Sequence, residues 1–357
     1  MHLGHWTVVN QDLPETTLSR SLFHGLETPR ILVIRFARMG DLLLLVPTLK
    51  ALRNSLPRAK ISVLVGHRCA PILEMCSAVD EVISVDRVAM RDGSKLTALG
   101  EIFRLAENIR RRQFDLVLDL HSFRETNLLT WYSRAPMRLG LKRAKAAFLP
   151  FCFNLDPIIE DKTLHVCSVF LASLEALGLN AGQPDCLLDL SIPDLESARL
   201  FFEQNPLAPG TRLVGMYIGA SSPGRRWPLE KFAELARLLS QVSNIKSILF
   251  WGPREQIVTR QLEESFPPSS RTLVAGSLPL RQMASLMSNC DLLISNDTGP
   301  MHLGPAVGVP TLGLFSLSLP EHYHPIGPSS QFIKRESIDK IGVEEVHRMA
   351  AEMLGLT

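Results

Sequence analysis

The stretch from Asp291 to Phe315 constrains the fold of this chain more than any other. Its first part, Leu292 to Ser295, is a short apolar run that predicts a buried strand. A second apolar run, Pro310 to Phe315, follows after room for only a short helix. Two strands joined in this way form a right-handed parallel crossover, and ligands of such sheets bind at the carboxyl ends of the strands.

The residues between these two strands predict an anion site. Asp297 ends the first strand, Thr298 can cap the following helix, and Pro300 suits its first turn. Gly299 lets a ligand approach the backbone, where free N–H groups and the helix dipole favour a phosphate or diphosphate. His302 lies on the same helix. The alternative is an ordinary strand-to-helix turn with Asp297 as a cap.

Strand and helix patterns alternate along both halves of the chain, which predicts an α/β protein with parallel sheets. The series begins with the apolar run from Ile31 to Phe36 and a helix from Asp41 to about Leu56, and it restarts at Val214. A short, proline-containing segment separates the two series. The predicted parts are an N-terminal extension (1–29), a first domain (30–185), a linker (186–193), a second domain (194–335) and a C-terminal helix (336–357).

Composition excludes several classes of protein. Hydrophobic residues make up 46% and charged residues 21%, as in soluble globular enzymes. No apolar run reaches the roughly 18 residues of a membrane span, and the N-terminus does not resemble a signal peptide. The six cysteines lack metal-like spacing, which indicates free thiols in a reducing cytosol. No cluster of ligand-type residues is visible, so neither a metal nor a cofactor is expected.

The first strand-to-helix turn contains a candidate carboxylate. Asp41 begins a helix, with Gly40 and Arg38 in the loop before it. On the local pattern alone a capping role for Asp41 is favoured. The loop is too short for a P-loop, and its glycines do not form GxGxxG, which disfavours Walker-type hydrolysis and a nicotinamide fold.

A second loop, residues 219–228, joins a strand to a helix. Gly219 and Ser221 are small, and Arg225 could neutralise charge on a leaving group. A solvated basic loop anchored by Trp227 is the alternative. Glu255 follows the next strand, where a carboxylate could contact a base or ribose.

Residues 126–155 contain no Asp or Glu but five basic residues: Arg134, Arg138, Lys142, Arg143 and Lys145. Such an excess attracts an anionic partner, although basic stretches are often only solvated surface. Four aromatic side chains border it, at Trp131, Phe148, Phe151 and Phe153, so that nucleic acid and an anionic lipid surface are both conceivable.

Six spaced segments carry a further signal: ILVIRFARMGDLLLLVPTLKALRNSLP, FDLVLDLHSFRETNLL, MRLGL, HVCSVFLASLEALGL, GASSPGRRWPLEKFAELA and SNDTGPMHLGPAVGVPTLGLF, which span roughly residues 30 to 330. In this order they resemble the heptosyltransferases, family nine of the glycosyltransferases. The resemblance implies a GT-B fold of two Rossmann-like domains facing a central cleft, with the acceptor on the first domain and the donor on the second. It implies metal-independent, inverting transfer from a nucleotide diphosphate sugar, typically ADP-heptose, to a lipopolysaccharide inner core. It also implies that a terminal helix packs back on the first domain.

The resemblance assigns roles residue by residue. Asp41 in RMGD matches the proposed general base, and Arg225 stands where the family often has lysine near the donor phosphates. The donor set is Gly219, Ser221, Arg225, Glu255, Asp297, Thr298, Gly299, Pro300 and His302. The expected acceptor contacts are Arg38, Gly40, His121, Arg124, Arg138, Lys142 and Arg143. The N-terminal extension has no counterpart in the family pattern.

The expected partners are therefore a nucleotide diphosphate sugar and an anionic, lipid-linked glycan. We expect a cytoplasmic monomer in peripheral contact with the inner membrane, and no nucleic acid partner. Two rival functions remain. A sugar-nucleotide epimerase of the same fold would need acid and base groups around the donor sugar and no acceptor patch. A noncatalytic nucleotide-sugar-binding protein would keep Asp297 and His302 without needing Asp41.

Overall fold

The computed structural model describes residues 22–86, 95–144, 146–242, 244–252, 265–266, 272–327 and 329–356. The described strands are β1 (Arg30–Ile34), β2 (Lys60–Gly66), β3 (Glu81–Val85), β4 (Leu116–Asp119), β5 (Met137–Lys142), β6 (Ile158–Ile159), β7 (Arg212–Tyr217), β8 (Ile245–Trp251), β9 (Thr272–Ser277), β10 (Leu292–Asn296), β11 (Thr311–Phe315) and β12 (Gln331–Lys334). The described helices are α1 (Met39–Leu43), α2 (Val46–Ser55), α3 (Ala70–Leu73), α4 (Lys95–Arg111), α5 (Arg124–Tyr132), α6 (Val166–Glu175), α7 (Ile192–Gln204), α8 (Leu229–Ser240), α9 (Leu280–Met287), α10 (Gly299–Ala306), α11 (Pro320–Tyr323) and α12 (Val343–Met353).

The strands form two six-stranded parallel sheets with the same topology. Their orders are β3-β2-β1-β4-β5-β6 and β12-β11-β10-β7-β8-β9. Counted within its own sheet, each reads 3-2-1-4-5-6, the doubly wound order. In this order the ligand crevice lies where the order reverses, between β1 and β4 in one sheet and between β7 and β10 in the other. The prediction of two Rossmann-like domains is confirmed.

The central strands are buried on both faces, as parallel sheets require. Residues Ile31 to Ile34 of β1 and Leu292 to Ser295 of β10 are at most 1% exposed. One face of the first sheet packs under α2 and α6, which contact each other, while α4 and α5 lie on the other face. Burial of these apolar runs explains why both strands could be recognised in the sequence.

The first helix differs from the prediction of one helix from Asp41 to Leu56. The structure divides it into α1 and α2, with a turn at residues 44–45. Pro47 lies in the first turn of α2, where it cannot donate a backbone hydrogen bond to the preceding turn. The break leaves α1 as a short, separate helix with its own N-terminus. The sequence pattern also predicts a helix from Glu255 to Glu264, and these residues lie outside the described ones.

The C-terminal helix was expected to pack back on the first domain, and this expectation is wrong. α12 packs against α8 and β10 of the second domain. Val343, Val346 and Ala350 recur at helical spacing and are buried in that domain's core. This apolar stripe accounts for the placement.

A different segment reaches the first domain. After β11 the chain passes through α11, and Nε2 of His165 in the first domain lies 3.1 Å from the carbonyl oxygen of His324. Sγ of Cys186, at the start of the linker, donates to the carbonyl of Ile326 at 3.3 Å. In the described residues no helix combines the length and the apolar character needed to cross a membrane.

Candidate active site

The carboxyl ends of β1 and β10 face each other through α1 and α10, which are in contact. A Cβ atom added at Gly40 would lie 2.8 Å from Cδ2 of His302, and one added at Gly299 would lie 2.9 Å from Cβ of Met39. Ordinary carbon–carbon contacts begin at about 3.5 Å. The two glycines therefore let the helix N-termini approach, so that Gly40, the neighbour of Asp41, lies against the first turn of α10.

Asp41 is held by a buried arginine. Its Oδ1 accepts a hydrogen bond from Nη2 of Arg35 at 3.2 Å. Nη1 of Arg35 donates to the carbonyl of Leu120 at 2.8 Å, and the guanidinium lies 4.8 Å from the ring of Phe170. Burial lowers the Arg35 pKa to about 10, so the side chain remains a cation at neutral pH. The N-cap of α1 is Arg38, so Asp41 is no cap but a partly exposed carboxylate with a fixed cationic partner.

A second carboxylate shapes the loop after β4. Oδ1 of the fully buried Asp119 accepts hydrogen bonds from the backbone N–H groups of His121 and Ser122. Burial raises the Asp119 pKa to about 6. The loop holds the His121 ring 5.6 Å from that of Phe36 and 4.2 Å from that of Phe123. His121 thus packs among rings beside the crevice, and its contact with an acceptor stays a prediction.

Asn296 at the end of β10 fixes the loop formed by residues 219–228. Its Oδ1 accepts from the backbone N–H of Trp227 at 3.0 Å, and its Nδ2 donates to the carbonyls of Ile218 and Gly219 at 3.0 and 3.2 Å. The indole of Trp227 is fully buried and donates to the carbonyl of Ile341. Trp227 therefore anchors the loop by packing, and the loop is bound to the same strand end as the predicted anion site.

The predicted anion site contains an ion pair and a neutral imidazole. Nε of Arg225 lies 3.6 Å from Oδ2 of Asp297. Burial lowers the His302 pKa to about 3, so the ring is neutral at physiological pH. Among the described groups neither Asp297 Oδ2 nor His302 Nδ1 has a hydrogen-bond partner. Thr298 occupies the N-cap position of α10 without a capping bond from its side chain. These groups leave cationic and polar atoms for a ligand, and Ser221 is exposed in the loop beside them.

The predicted acceptor residues divide into two groups. Arg38 and Arg124 are exposed at the starts of α1 and α5, after strands β1 and β4. Lys142 is exposed at the carboxyl end of β5, and Arg143 next to it forms an ion pair with Glu160 at 3.5 Å. Arg143 is close enough to Arg35 to lower its pKa. These four residues lie at the same edge of the sheet as Asp41.

Arg138 does not belong to this edge. It is the second residue of β5, which runs parallel to β4, so it lies at the amino end of the sheet. Its Nε donates to the carbonyl of Cys152 at 2.9 Å, and its Nη1 donates to the carbonyl of Ala135. It therefore lies at the opposite end of the sheet from Asp41, and the charge of a basic run does not reveal which end of a strand each residue occupies. Its contact with an acceptor stays a prediction. Glu255 and Lys145 lie outside the described residues.

Sequence reasoning missed four residues of this site: Arg35, Asp119, Asn296 and Tyr323. A charged side chain within the apolar run from Ile31 to Phe36 was the available signal for Arg35. Tyr323 comes from the segment that crosses to the first domain. Burial raises its pKa, and the nearby carboxylates of Asp41 and Glu160 raise it further. No pattern within a short stretch of the sequence predicts such a contact.

In the described part of the chain no three His, Cys, Asp or Glu side chains lie close enough together to bind a metal ion. Instead, the first domain supplies the Asp41 carboxylate. The second domain supplies the N-terminus of α10, the Arg225 guanidinium and the neutral His302 ring. Such a pairing suits transfer of a group whose leaving part is anionic.

Residues 102–350, more than two thirds of the chain, match the sequence profile of glycosyltransferase family 9 (heptosyltransferase). The chain belongs to this family. It is a glycosyltransferase with the GT-B fold, and the crevice described above is its cleft.

Known members of the family resemble this glycosyltransferase along most of their length. It is 23% identical over 299 residues to the lipopolysaccharide core heptosyltransferase OpsX of Haemophilus influenzae, covering 82% of this chain and 81% of the relative. A family 9 glycosyltransferase from Veillonella parvula superposes with a TM-score of 0.79 and 25% identity, covering 92% and 98%. The E. coli heptosyltransferase WaaC with ADP-2-deoxy-2-fluoro heptose has a TM-score of 0.73 and 21% identity, covering 90% and 99%.

Proposed function

We propose that this glycosyltransferase moves a heptose-like sugar from a nucleotide diphosphate sugar, of the ADP-heptose type, to a lipopolysaccharide inner-core acceptor. Lipopolysaccharide heptose transfer is supported by the relatives, among them OpsX. An adenosine diphosphate donor is supported by the WaaC complex, whose ligand is an ADP-heptose analogue. The observation that carries the proposal is the contact between α1 and α10, because it brings a carboxylate to an anion site across the domain boundary.

In the proposed reaction the Asp41 carboxylate accepts the proton of an acceptor hydroxyl. The oxygen attacks the anomeric carbon, and the bond from that carbon to the diphosphate oxygen breaks with its electron pair on the diphosphate. Attack from the wall opposite the leaving group inverts the anomeric configuration. Arg35 orients Asp41 through the 3.2 Å hydrogen bond between them.

The leaving diphosphate departs toward the second domain. Arg225 and the first-turn N–H groups of α10 supply positive charge and hydrogen-bond donors there. Neutral His302 can donate or accept a hydrogen bond without adding charge. We propose that these groups replace a divalent cation, so that transfer proceeds without a metal.

The acceptor is proposed to bind along the first domain. Arg38, Arg124, Lys142 and Arg143 stand at the edge that carries Asp41, and guanidinium groups bind phosphates and carboxylates in a bidentate manner. We place the reaction at the cytoplasmic face of the inner membrane, where a lipid-linked acceptor is available.

The test is turnover with ADP-, GDP- and UDP-sugars in EDTA, with the product anomer determined by NMR. Asp41→Asn should abolish kcat while calorimetry gives a donor Kd within about threefold of wild type, since Asp41 belongs to the acceptor wall. Asp156→Asn, at an exposed position, is the matched control. Retained kcat in Asp41→Asn would refute the base, and metal-restored activity would refute metal independence. Epimerisation of the donor without an acceptor would establish the epimerase function. Donor binding without any turnover would establish a noncatalytic nucleotide-sugar-binding protein.

A further inference from the structure

The outer side of the first domain carries large apolar side chains that its own core does not use. Trp131 at the end of α5 is 51% exposed, and Phe151 in the turn after β5 is 63% exposed, with their rings 6.5 Å apart. Leu99 and Phe103 of α4 are 64% and 63% exposed. Single exposed apolar residues are normal, but several on adjoining elements mark an interaction surface.

Most of these side chains lie along two adjoining helices, and we describe them as one strip. Leu99, Phe103 and Arg110 are four and seven residues apart, which places them on one side of α4. That side faces α5, because the guanidinium of Arg110 lies 5.1 Å from the Tyr132 ring. Leu128 and Trp131 extend the strip along α5. We call this strip the α4–α5 face.

The same face contains a cationic pocket. A cavity of about 280 Å³ is lined by Arg110, Trp131, Tyr132, Arg134 and Arg138. Arg138 is fixed by its bonds to the carbonyls of Cys152 and Ala135, so its guanidinium is preorganised. Three arginines around one cavity, with aromatic rings at its rim, fit a phosphate group that is attached to an apolar layer.

The α4–α5 face extends toward the cleft along α5. Arg124, Leu128 and Trp131 are spaced by four and three residues, so they share one stripe of α5. Arg124 stands at the cleft edge, and Trp131 lies about 10 Å further along the helix axis. A flat surface resting on the α4–α5 face would therefore pass close to the acceptor side of the cleft.

We propose that the α4–α5 face docks on an anionic lipid bilayer, with a lipid phosphate in the cavity between Arg110, Arg134 and Arg138 and with Trp131 and Phe151 in the headgroup layer. A second copy of the chain fits less well, because a two-fold contact would oppose the arginines to themselves. A nucleic acid fits less well, because it has no apolar layer in which Leu99, Leu128 and Phe103 could be buried. The inference rests on the proposed function only in that a lipid-linked acceptor gives the docking a purpose.

The experiment is flotation of the full chain with phosphatidylglycerol-containing vesicles and with pure phosphatidylcholine vesicles. The variants are Arg110→Glu/Arg134→Glu and Trp131→Ala/Phe151→Ala. The controls are Arg237→Glu and Ile192→Ala, exposed changes away from this face. Each arginine near an anionic bilayer contributes about fivefold to partitioning, so the double charge reversal should lower the partition coefficient at least about 25-fold. The aromatic variant should also bind more weakly, and both controls should bind like wild type.

Tryptophan fluorescence locates the contact. Trp227 and Trp251 are buried, and Trp6 lies outside the described residues. If anionic vesicles shift the emission to the blue in wild type and not in Trp131→Phe, the contact is made by Trp131. The proposal is overturned by equal binding to both vesicle types, by variants that bind like wild type, or by the same shift with inorganic phosphate alone, which would indicate a small-anion pocket. Preferential binding of single-stranded DNA, or a dimer that the same variants dissociate, would overturn it in favour of those partners.

These measurements use neither donor nor acceptor, so the docking can fail while the transferase activity stands. Conversely, donor affinity by calorimetry and transfer to a delipidated acceptor should be unchanged in the face variants. This result would also show that the variants are folded.

Discussion

Replacing Gly40 with alanine places a methyl group where the two domains touch. The new Cβ would lie 2.8 Å from Cδ2 of His302 and 3.4 Å from Cα of Gly299. Carbon atoms in comfortable contact are about 3.5 Å or more apart. The His302 ring or the facing helices must therefore move by about 0.7 Å, and His302 is buried, with little room to turn.

The expected effect is on both the rate and the stability. A displacement approaching 1 Å at reacting groups can lower a rate by about 100-fold, and overpacking typically costs about 1–3 kcal/mol of unfolding free energy. We expect kcat of Gly40→Ala to fall between about 10- and 100-fold. The donor Kd should change by less than about threefold, since α10 remains attached to its own sheet.

Steady-state kinetics and calorimetry measure these quantities. Gly100→Ala is the matched control, because a Cβ at Gly100 meets nothing within 4 Å. A double-mutant cycle with His302→Ala isolates the contact, since Gly40→Ala should cost little once the ring is absent. A wild-type kcat for Gly40→Ala, or the same loss in the His302→Ala background, would refute the reasoning.

Three further perturbations test other parts of the site. Arg35→Met removes a buried cation together with its two hydrogen bonds, which should cost about 2–4 kcal/mol of unfolding free energy. It should lower kcat more than it raises KM, and Arg35→Lys should restore part of both the stability and kcat. An unchanged kcat would refute the role of Arg35 in positioning Asp41. Asn296→Ala releases the loop that it holds and should weaken donor binding at least about tenfold by calorimetry; a wild-type Kd would contradict this. Burial depresses the His302 pKa to about 3, so the unfolded chain binds a proton at His302 more tightly than the folded chain does. The free energy of unfolding should therefore decrease as pH falls from about 6.5 toward 3. Urea unfolding of His302→Gln should show a smaller decrease over that range.

The central strands were predictable because a parallel sheet buries them on both faces. Ile31 to Ile34 and Leu292 to Ser295 appear in the sequence as continuous apolar runs for this reason. The edge strands β6 and β12 were not predicted. Ile158–Ile159 is only two residues long, and Gln331–Lys334 is partly exposed and half polar, so neither carries a periodic signal.

The site was predictable where its chemistry is local. Asp41 and Asp297 each lie within a few residues of the end of an apolar run, and their motifs identify them. Arg35 and Asn296 act through partners that are distant in sequence: Leu120 is 85 residues from Arg35, and Trp227 is 69 residues from Asn296. Nothing within a short window distinguishes such residues from a charge or amide at an ordinary strand end.

The basic run shows how strand direction decides function. Arg138 and Lys142 are four residues apart in one strand, which places them about 13 Å apart at opposite ends of the sheet. Lys142 and Arg143 therefore lie at the edge of the sheet that carries Asp41, while Arg138 lines the cavity on the α4–α5 face. Lys142→Glu/Arg143→Glu should raise the KM for the acceptor and leave donor affinity and vesicle binding unchanged. The acceptor KM of wild type should rise with salt, since exposed charges are screened over about 8 Å at physiological ionic strength, and the variant should respond less. Loss of vesicle binding in this variant, with an unchanged acceptor KM, would show that the run serves a single surface.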